Sequence, residues 1–132
     1  MKLLIAALLM LATAPSAEIL TGKQFDALTR DTTMHFSADG QYFGSEQFFS
    51  GRRTVWRAED GRCVNGKWDY QAPAICFIYD DGSGPFCWTV EKQGREITVT
   101  STNAVEDSPP LALELTSQDT QPILCTGPLF GV

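Results

Sequence analysis

Ile75-Cys76-Phe77-Ile78-Tyr79-Asp80-Asp81-Gly82-Ser83-Gly84-Pro85-Phe86-Cys87-Trp88-Thr89-Val90 is the stretch that decides the fold. Ile75, Phe77 and Tyr79 share one face of an extended segment, and Phe86, Trp88 and Val90 alternate with Cys87 and Thr89. Strand side chains point alternately to two faces, so a period of two marks a strand with one buried face. Asp81-Gly82-Ser83-Gly84-Pro85 between the runs supplies the residues a tight turn needs. A hairpin turning near Gly82 sets Cys76 opposite Cys87, within reach of a cross-strand disulfide. Both sulfurs then point away from the face that carries Phe77 and Trp88.

The same period runs outward from this hairpin. Ile97 and Val99 alternate with Thr98 and Thr100, and Leu111, Leu113 and Leu115 with Ala112, Glu114 and Thr116. Turn signals recur at Asp39-Gly40, Ser50-Gly51, Asp60-Gly61, Ala72-Pro73 and Gly94-Arg95. Asp-Gly pairs accept the positive φ of hairpin turns, so successive strands are expected to be antiparallel. The reading is a mainly β protein: an antiparallel up-and-down meander of eight or so strands. A chain of this size covers the apolar face of such a sheet by curling it into a small barrel or half-barrel. One short N-terminal helix precedes it. Thr21-Gly22-Lys23-Gln24 is a capping-box pattern with Leu20 and Phe25 at the staple positions, which predicts a helix over Gly22 to Thr29 acting as a plug or lid. Glu106 to Pro110 is expected to form a long loop.

Before that helix, Lys2 is followed by an apolar run from Leu3 to Ala12 and by the small residues and proline of Ala14-Pro15-Ser16-Ala17. This is the layout of a secretory signal peptide, too short in its apolar part to span a bilayer. Residues 1–17 are read as a leader that is removed, leaving 18–132 as a single domain, exported to the periplasm or secreted, with no membrane anchor. The whole chain is 132 residues long with a formal net charge of −6. Loss of Lys2 leaves 9 basic against 16 acidic residues. An acidic surface has nothing to hold phosphates, which argues against nucleic-acid binding.

Export gives the cysteines their meaning. Cys63, Cys76, Cys87 and Cys125 are an even set in an oxidising compartment, so two disulfides are expected. With Cys76 facing Cys87, Cys63 pairs with Cys125 and ties the C-terminal segment to the sheet; Cys63–Cys76 with Cys87–Cys125 stays open as the other pairing. A zinc site does not fit, since no C-x-x-C occurs and His35 is the sole histidine. No metal or other cofactor is expected.

The search for chemistry finds no catalytic constellation, and the chain is read as non-enzymatic. His35 has no sequence neighbour to act as nucleophile or orienter, and reads as a surface or structural residue. Gly82-Ser83-Gly84 lacks the G-x-S-x-G spacing of a nucleophile elbow. Asp80, Asp81 and Glu91 have the end spacing of a calcium loop, but Gly82 and Gly84 occupy liganding positions and Pro85 the turn glycine. Among Glu46, Glu59, Asp60, Asp69, Asp80 and Asp81 a carboxylate pair for glycoside hydrolysis could hide, but such residues usually mark turns and solvated edges. Arg52, Arg53, Arg57 and Arg62 flank Trp56 as a basic cluster, suited to an anionic ligand or acidic partner, or to guarding a strand edge. Aromatics are the richest feature, all but Phe25 and Phe130 falling between Phe36 and Trp88. Core packing takes most of them, and Trp56, Trp68, Trp88, Phe77 and Tyr79 are the candidates for an aromatic-lined pocket.

Asp60-Gly61-Arg62-Cys63-Val64-Asn65-Gly66-Lys67-Trp68, Ile75-Cys76-Phe77-Ile78-Tyr79, Cys87-Trp88 and Cys125-Thr126-Gly127-Pro128 together resemble a group of small exported bacterial proteins of unassigned function. Their shared pattern is a G-x-W strand, then C-F and C-W strands, then a C-x-G-P segment; the likeness covers Phe36 to Val132 and brings no catalytic residues. More loosely, a short helix leading into a meander with a G-x-W strand resembles lipocalin-like β-barrels, which implies ligand binding. The N-terminal motif of lipocalins is absent, since no Trp follows Gly22. Two functions fit these readings. One is a non-catalytic periplasmic module that holds a small apolar or sugar-like ligand. The other is a protein-interaction or inhibitor domain acting on an envelope protein, for which an acidic, disulfide-braced β-domain is suited.

Overall fold

The computed structural model describes residues 9–103 and 108–127. Residues 1–8 of the expected leader, Glu106 and Asp107 of the expected loop, and Pro128 lie outside them. Among the described residues no helix is long and apolar enough to cross a membrane.

A two-residue strand, β1 (Glu18–Ile19), leads into helix α1 (Gly22–Thr29). The Thr21 hydroxyl accepts the Gln24 N–H at 3.2 Å, and Gln24 Oε1 accepts the Thr21 N–H at 2.8 Å. This reciprocal box satisfies two donors that a helix start leaves free, so the helix begins where the sequence places it. Leu20 and Phe25, the staple pair, both lie in the core.

Eight strands follow: β2 (Thr33–Ala38), β3 (Gln41–Phe48), β4 (Arg53–Ala58), β5 (Cys63–Gln71), β6 (Ala74–Tyr79), β7 (Phe86–Gln93), β8 (Glu96–Ser101) and β9 (Ala112–Asp119). Each pairs antiparallel with the next, and β9 returns to β2 from Thr33↔Asp119 to Ser37↔Glu114. The sheet is therefore a closed eight-stranded up-and-down barrel. β1 completes one seam: β6 reaches β7 only at Phe86 to Trp88, and farther along, Glu91 and Lys92 pair with β1 instead.

Closure fixes which side chains face inward. Met34, Glu46, Trp56 and Val64 form one cross-strand row, and Phe48, Thr54, Gly66 and Tyr79 another. His35, Ser45, Arg57 and Cys63 form the alternate, outward row. An eight-stranded barrel has an interior just large enough to be filled by side chains or to hold one small ligand. At one end α1 fills it. The Phe25 ring meets Phe48, Trp68 and Phe77 edge-on, with centroids 5.5, 5.0 and 6.4 Å away. Met34, Ile75 and Val90 complete this packed floor.

Both disulfides join residues that the barrel already brings together. Cys76 faces Cys87 across β6–β7, and Cys63 at the start of β5 is joined to Cys125. The second bridge pins the segment after β9 against the outer wall.

Candidate functional site

Above the Phe25 floor the barrel holds a cavity of about 780 Å³, within the range of small-molecule sites. Its wall is mainly aromatic and aliphatic, with Phe36, Phe43, Trp56, Phe77, Tyr79, Phe86, Trp88, Val99 and Leu113 contributing. Asp60, Arg62, Asp81 and Ser83, on the β4–β5 and β6–β7 turns, line it at the end opposite α1.

Phe43 owes its place to a bulge. β2 and β3 pair Phe36 with Gly44 and Ser37 with Tyr42, leaving Phe43 as the extra residue. A bulge re-aims a side chain, and Phe43 turns in to lie 5.9 Å from Trp56. Two glycines make room for the large rings. A Cβ on Gly44 would come within 2.3 Å of the Trp56 ring, and one on Gly66 within 2.5 Å of Tyr79. Tyr79 can therefore lie flat against the wall and reach across β5 and β4 towards β3.

Its hydroxyl donates to Glu46 Oε2 at 3.1 Å. Glu46 stands on the inner wall, directly opposite Trp56, with only 3% of its surface exposed. Burial pushes its carboxyl up to about 8, against the smaller lowering effects of the Thr54 and Tyr79 hydroxyls. Thr54 lies close enough to act on the charge but not in hydrogen-bonding geometry: Glu46 Oε1 and Thr54 Oγ1 both lack a partner among the described residues. Burial, with Glu46 beside it, also drives the Tyr79 phenol well above its ordinary value. The pair at neutral pH is thus an un-ionised phenol donating to a carboxylic acid that retains one unpaired oxygen.

At the loop end the acids are of the opposite kind. Asp60 is held below the usual carboxylate range by the backbone N–H of Arg62 and then by its guanidinium. Asp81 is held low by the hydroxyl and then the N–H of Ser83. Both are solvated and charged.

Four of the five expected pocket residues, Trp56, Phe77, Tyr79 and Trp88, line the cavity. Trp68 does not. It lies farther along β5 towards α1, where Phe25 covers it and leaves 3% exposed. The arginine cluster is also corrected. Arg52 bonds Asp69 and stacks over Trp68, Arg53 lies over Phe49, Arg57 reaches the Leu124 carbonyl and Tyr42, and Arg62 pairs with Asp60. They form no single basic patch. Nor do they guard an edge, because β4 is paired on both sides.

His35 is not isolated either. Its Nε2 lies 2.9 Å from Asp119 Oδ2 and its Nδ1 2.7 Å from Ser45 Oγ. The chain continues to Tyr42 Oη at 2.8 Å and to Arg57 at 3.0 Å. The order of groups is that of a hydrolase triad, but Ser45 is 2% exposed and its hydroxyl is shared between His35 and Tyr42. The same outer face holds the segment after β9: Thr33 bonds the Gln121 carbonyl, Gln47 accepts the Ile123 N–H, and Arg57 bonds the Leu124 carbonyl. The chain is part of this clasp. Among the described residues no group of three His, Cys, Asp or Glu side chains could hold a metal ion.

Of the cavity residues that the sequence does not assign to a pocket, Glu46 matters most. It stood among six acids with no signal to single it out. Gly44 and Gly66 were legible only as glycines in strands, which by rule mark a close approach. Comparison with protein families, with curated proteins and with solved structures finds no significant match.

Proposed function

We propose that this protein is an exported, non-catalytic binding module that encloses a small, mainly apolar ligand inside its barrel. The observation that carries the reading is the cavity itself, about 780 Å³ behind an aromatic wall. Protein interiors are close-packed, and unfilled apolar space weakens a fold. A small domain that keeps so much of it, with a buried carboxyl oxygen unpaired at its wall, forgoes stability that filling would supply. A ligand that covers the aromatic faces and meets that oxygen accounts for both.

Export is supported by two disulfides, which persist in oxidising compartments. The residues before β1 fit a removable leader, with Leu9, Met10 and Leu11 87–92% exposed. The proposed location is the periplasm or the exterior of the cell.

Native mass spectrometry of protein purified from the periplasm is the test. The expected result is a species a few hundred daltons heavier than the polypeptide, lost under denaturing conditions, on a chain that begins near Glu18. A bare polypeptide that also takes up none of a panel of small apolar molecules would overturn the reading.

A further inference from the structure

We propose that the ligand is a hydrophobic amine, its protonated nitrogen paired with Glu46 and faced by the rings of Trp56 and Tyr79. The inference rests on the binding reading above and goes beyond it by assigning the polar group of the ligand.

Three observations converge on a cation. Glu46 Oε1 is buried and, with the Thr54 hydroxyl beside it out of bonding geometry, has no partner among the described residues, so the wall offers a carboxyl oxygen that the protein does not use. Apart from the Thr54 hydroxyl, the groups around it are aromatic: Trp56 is its direct cross-strand neighbour, Tyr79 bonds its other oxygen, and Phe43 packs on Trp56. Ring faces attract an ammonium, most strongly where water is excluded. At the loop end Asp60 and Asp81 are charged, and Arg62, the one cationic residue among the described residues lining the cavity, lies 2.6 Å from Asp60. An approaching ammonium therefore meets negative charge first and a carboxyl last.

The same arrangement selects against an anionic head. A fatty acid would find no buried cation among the described lining residues and would set its carboxylate against Glu46. A neutral alcohol could bond Oε1 but would gain little from the rings. Because burial holds the Glu46 proton up to about pH 8, pairing with an ammonium draws out the carboxylate and sends that proton to solvent.

The experiment compares dodecylamine, dodecan-1-ol and dodecanoate, each below its critical micelle concentration, on the wild-type protein and on Glu46→Gln by isothermal titration calorimetry. At pH 7 the amine is expected to bind at least about tenfold more tightly than the alcohol, with the acid weakest. Titration in buffers of different ionisation enthalpy should show close to one proton released per amine bound, and none for the alcohol. Glu46→Gln should remove at least about tenfold of the amine affinity and leave the alcohol within about threefold. If Glu46→Gln does not fold, the wild-type ranking and the proton count still decide. Equal binding of amine and alcohol, or tighter binding of dodecanoate, would overturn the amine assignment while leaving the cavity a binding site. Failure of all three probes to bind would overturn the cavity reading and this inference with it.

Discussion

In the unfolded chain the Glu46 carboxyl ionises near its ordinary 4.5, whereas in the barrel burial holds the proton to about 8. Between those values the folded state binds the proton and the unfolded state does not, so stability falls as pH rises through this window and levels off above it. The loss amounts to roughly 5 kcal/mol at most. Asp60, Asp81 and Asp119 act with the opposite sign and only in acid, because their carboxyls are held below the ordinary range. Glu46→Gln removes the titrating group and keeps its shape. Thermal melts at pH 5, 6.5 and 8 should show a flatter decline for the variant, which at pH 8 gains up to about 4 kcal/mol over wild type; a wild-type slope in the variant would refute the assignment. The residue was not legible in the sequence because its strand, Gln41-Tyr42-Phe43-Gly44-Ser45-Glu46-Gln47-Phe48, shows no clean alternation. The bulge at Phe43 breaks the period, and only pairing with Trp56 and Met34 shows that Glu46 points inward. His35 was opaque for a related reason, with Asp119 lying 84 positions away. Since Ser45 is buried and held from both sides, a fluorophosphonate probe should leave the intact mass unchanged; a phosphonylated Ser45 would turn the clasp into a catalytic candidate.

The elements were more readable than the residues that line the site. Helix α1 carries its own start signal in Thr21 and Gln24, and the alternation of Phe86, Trp88 and Val90 placed β7 and its partner across Gly82. With that hairpin came the Cys76–Cys87 bridge, since a cross-strand pair is a matter of register alone. The segment after β9 had no such signal: it is irregular, and its contacts on the outer wall are single hydrogen bonds to distant side chains. The two bridges therefore do different work. Cys63–Cys125 spans 62 positions and Cys76–Cys87 spans 11, and loop entropy assigns about 4 and about 3 kcal/mol to them. Replacing Cys63 and Cys125 by Ser should lower stability by about that larger amount and speed amide exchange at Ile123 and Thr126. Replacing Cys76 and Cys87 should cost less and leave exchange at Ile123 and Thr126 unchanged. Denaturant melts and hydrogen exchange on both variants distinguish these outcomes, and the same exchange pattern in both would contradict the clasp. Gly66→Ala belongs to this scale as well. Its Cβ would displace the Tyr79 ring, costing about 1–3 kcal/mol and separating Tyr79 from Glu46.

At the scale of the whole molecule, period-two segments joined by tight turns already implied a curled meander, and closure through β2–β9 is what the hydrogen bonding of an edge strand asks for. What strand patterning could not reveal is the cavity. The same aromatic residues would satisfy the sequence equally well as a solid core, and Trp68 in fact packs that way under Phe25. Whether space is left depends on where α1 stops and on glycines letting Trp56 and Tyr79 lie flat, which are three-dimensional facts. Two functions suited the sequence, an enclosed ligand or a partner drawn to an acidic surface, and the barrel gives them different dependences on salt. Added salt screens solvent-exposed charges over a Debye length of about 10 Å at 0.1 M and about 3 Å at 1 M, but acts little on a pair sealed in an apolar interior. Dodecylamine affinity should therefore change by less than about threefold between 0.05 and 0.5 M NaCl, and a saturating dose at about 100 times its Kd should stabilise the fold by about 2.7 kcal/mol. A partner held by Asp80 and Asp81 would lose affinity steeply over the same range and respond to charge reversal at those turns. Steep salt dependence, together with no change in melting temperature on adding amine, would move the functional surface from the interior of the barrel to its outside.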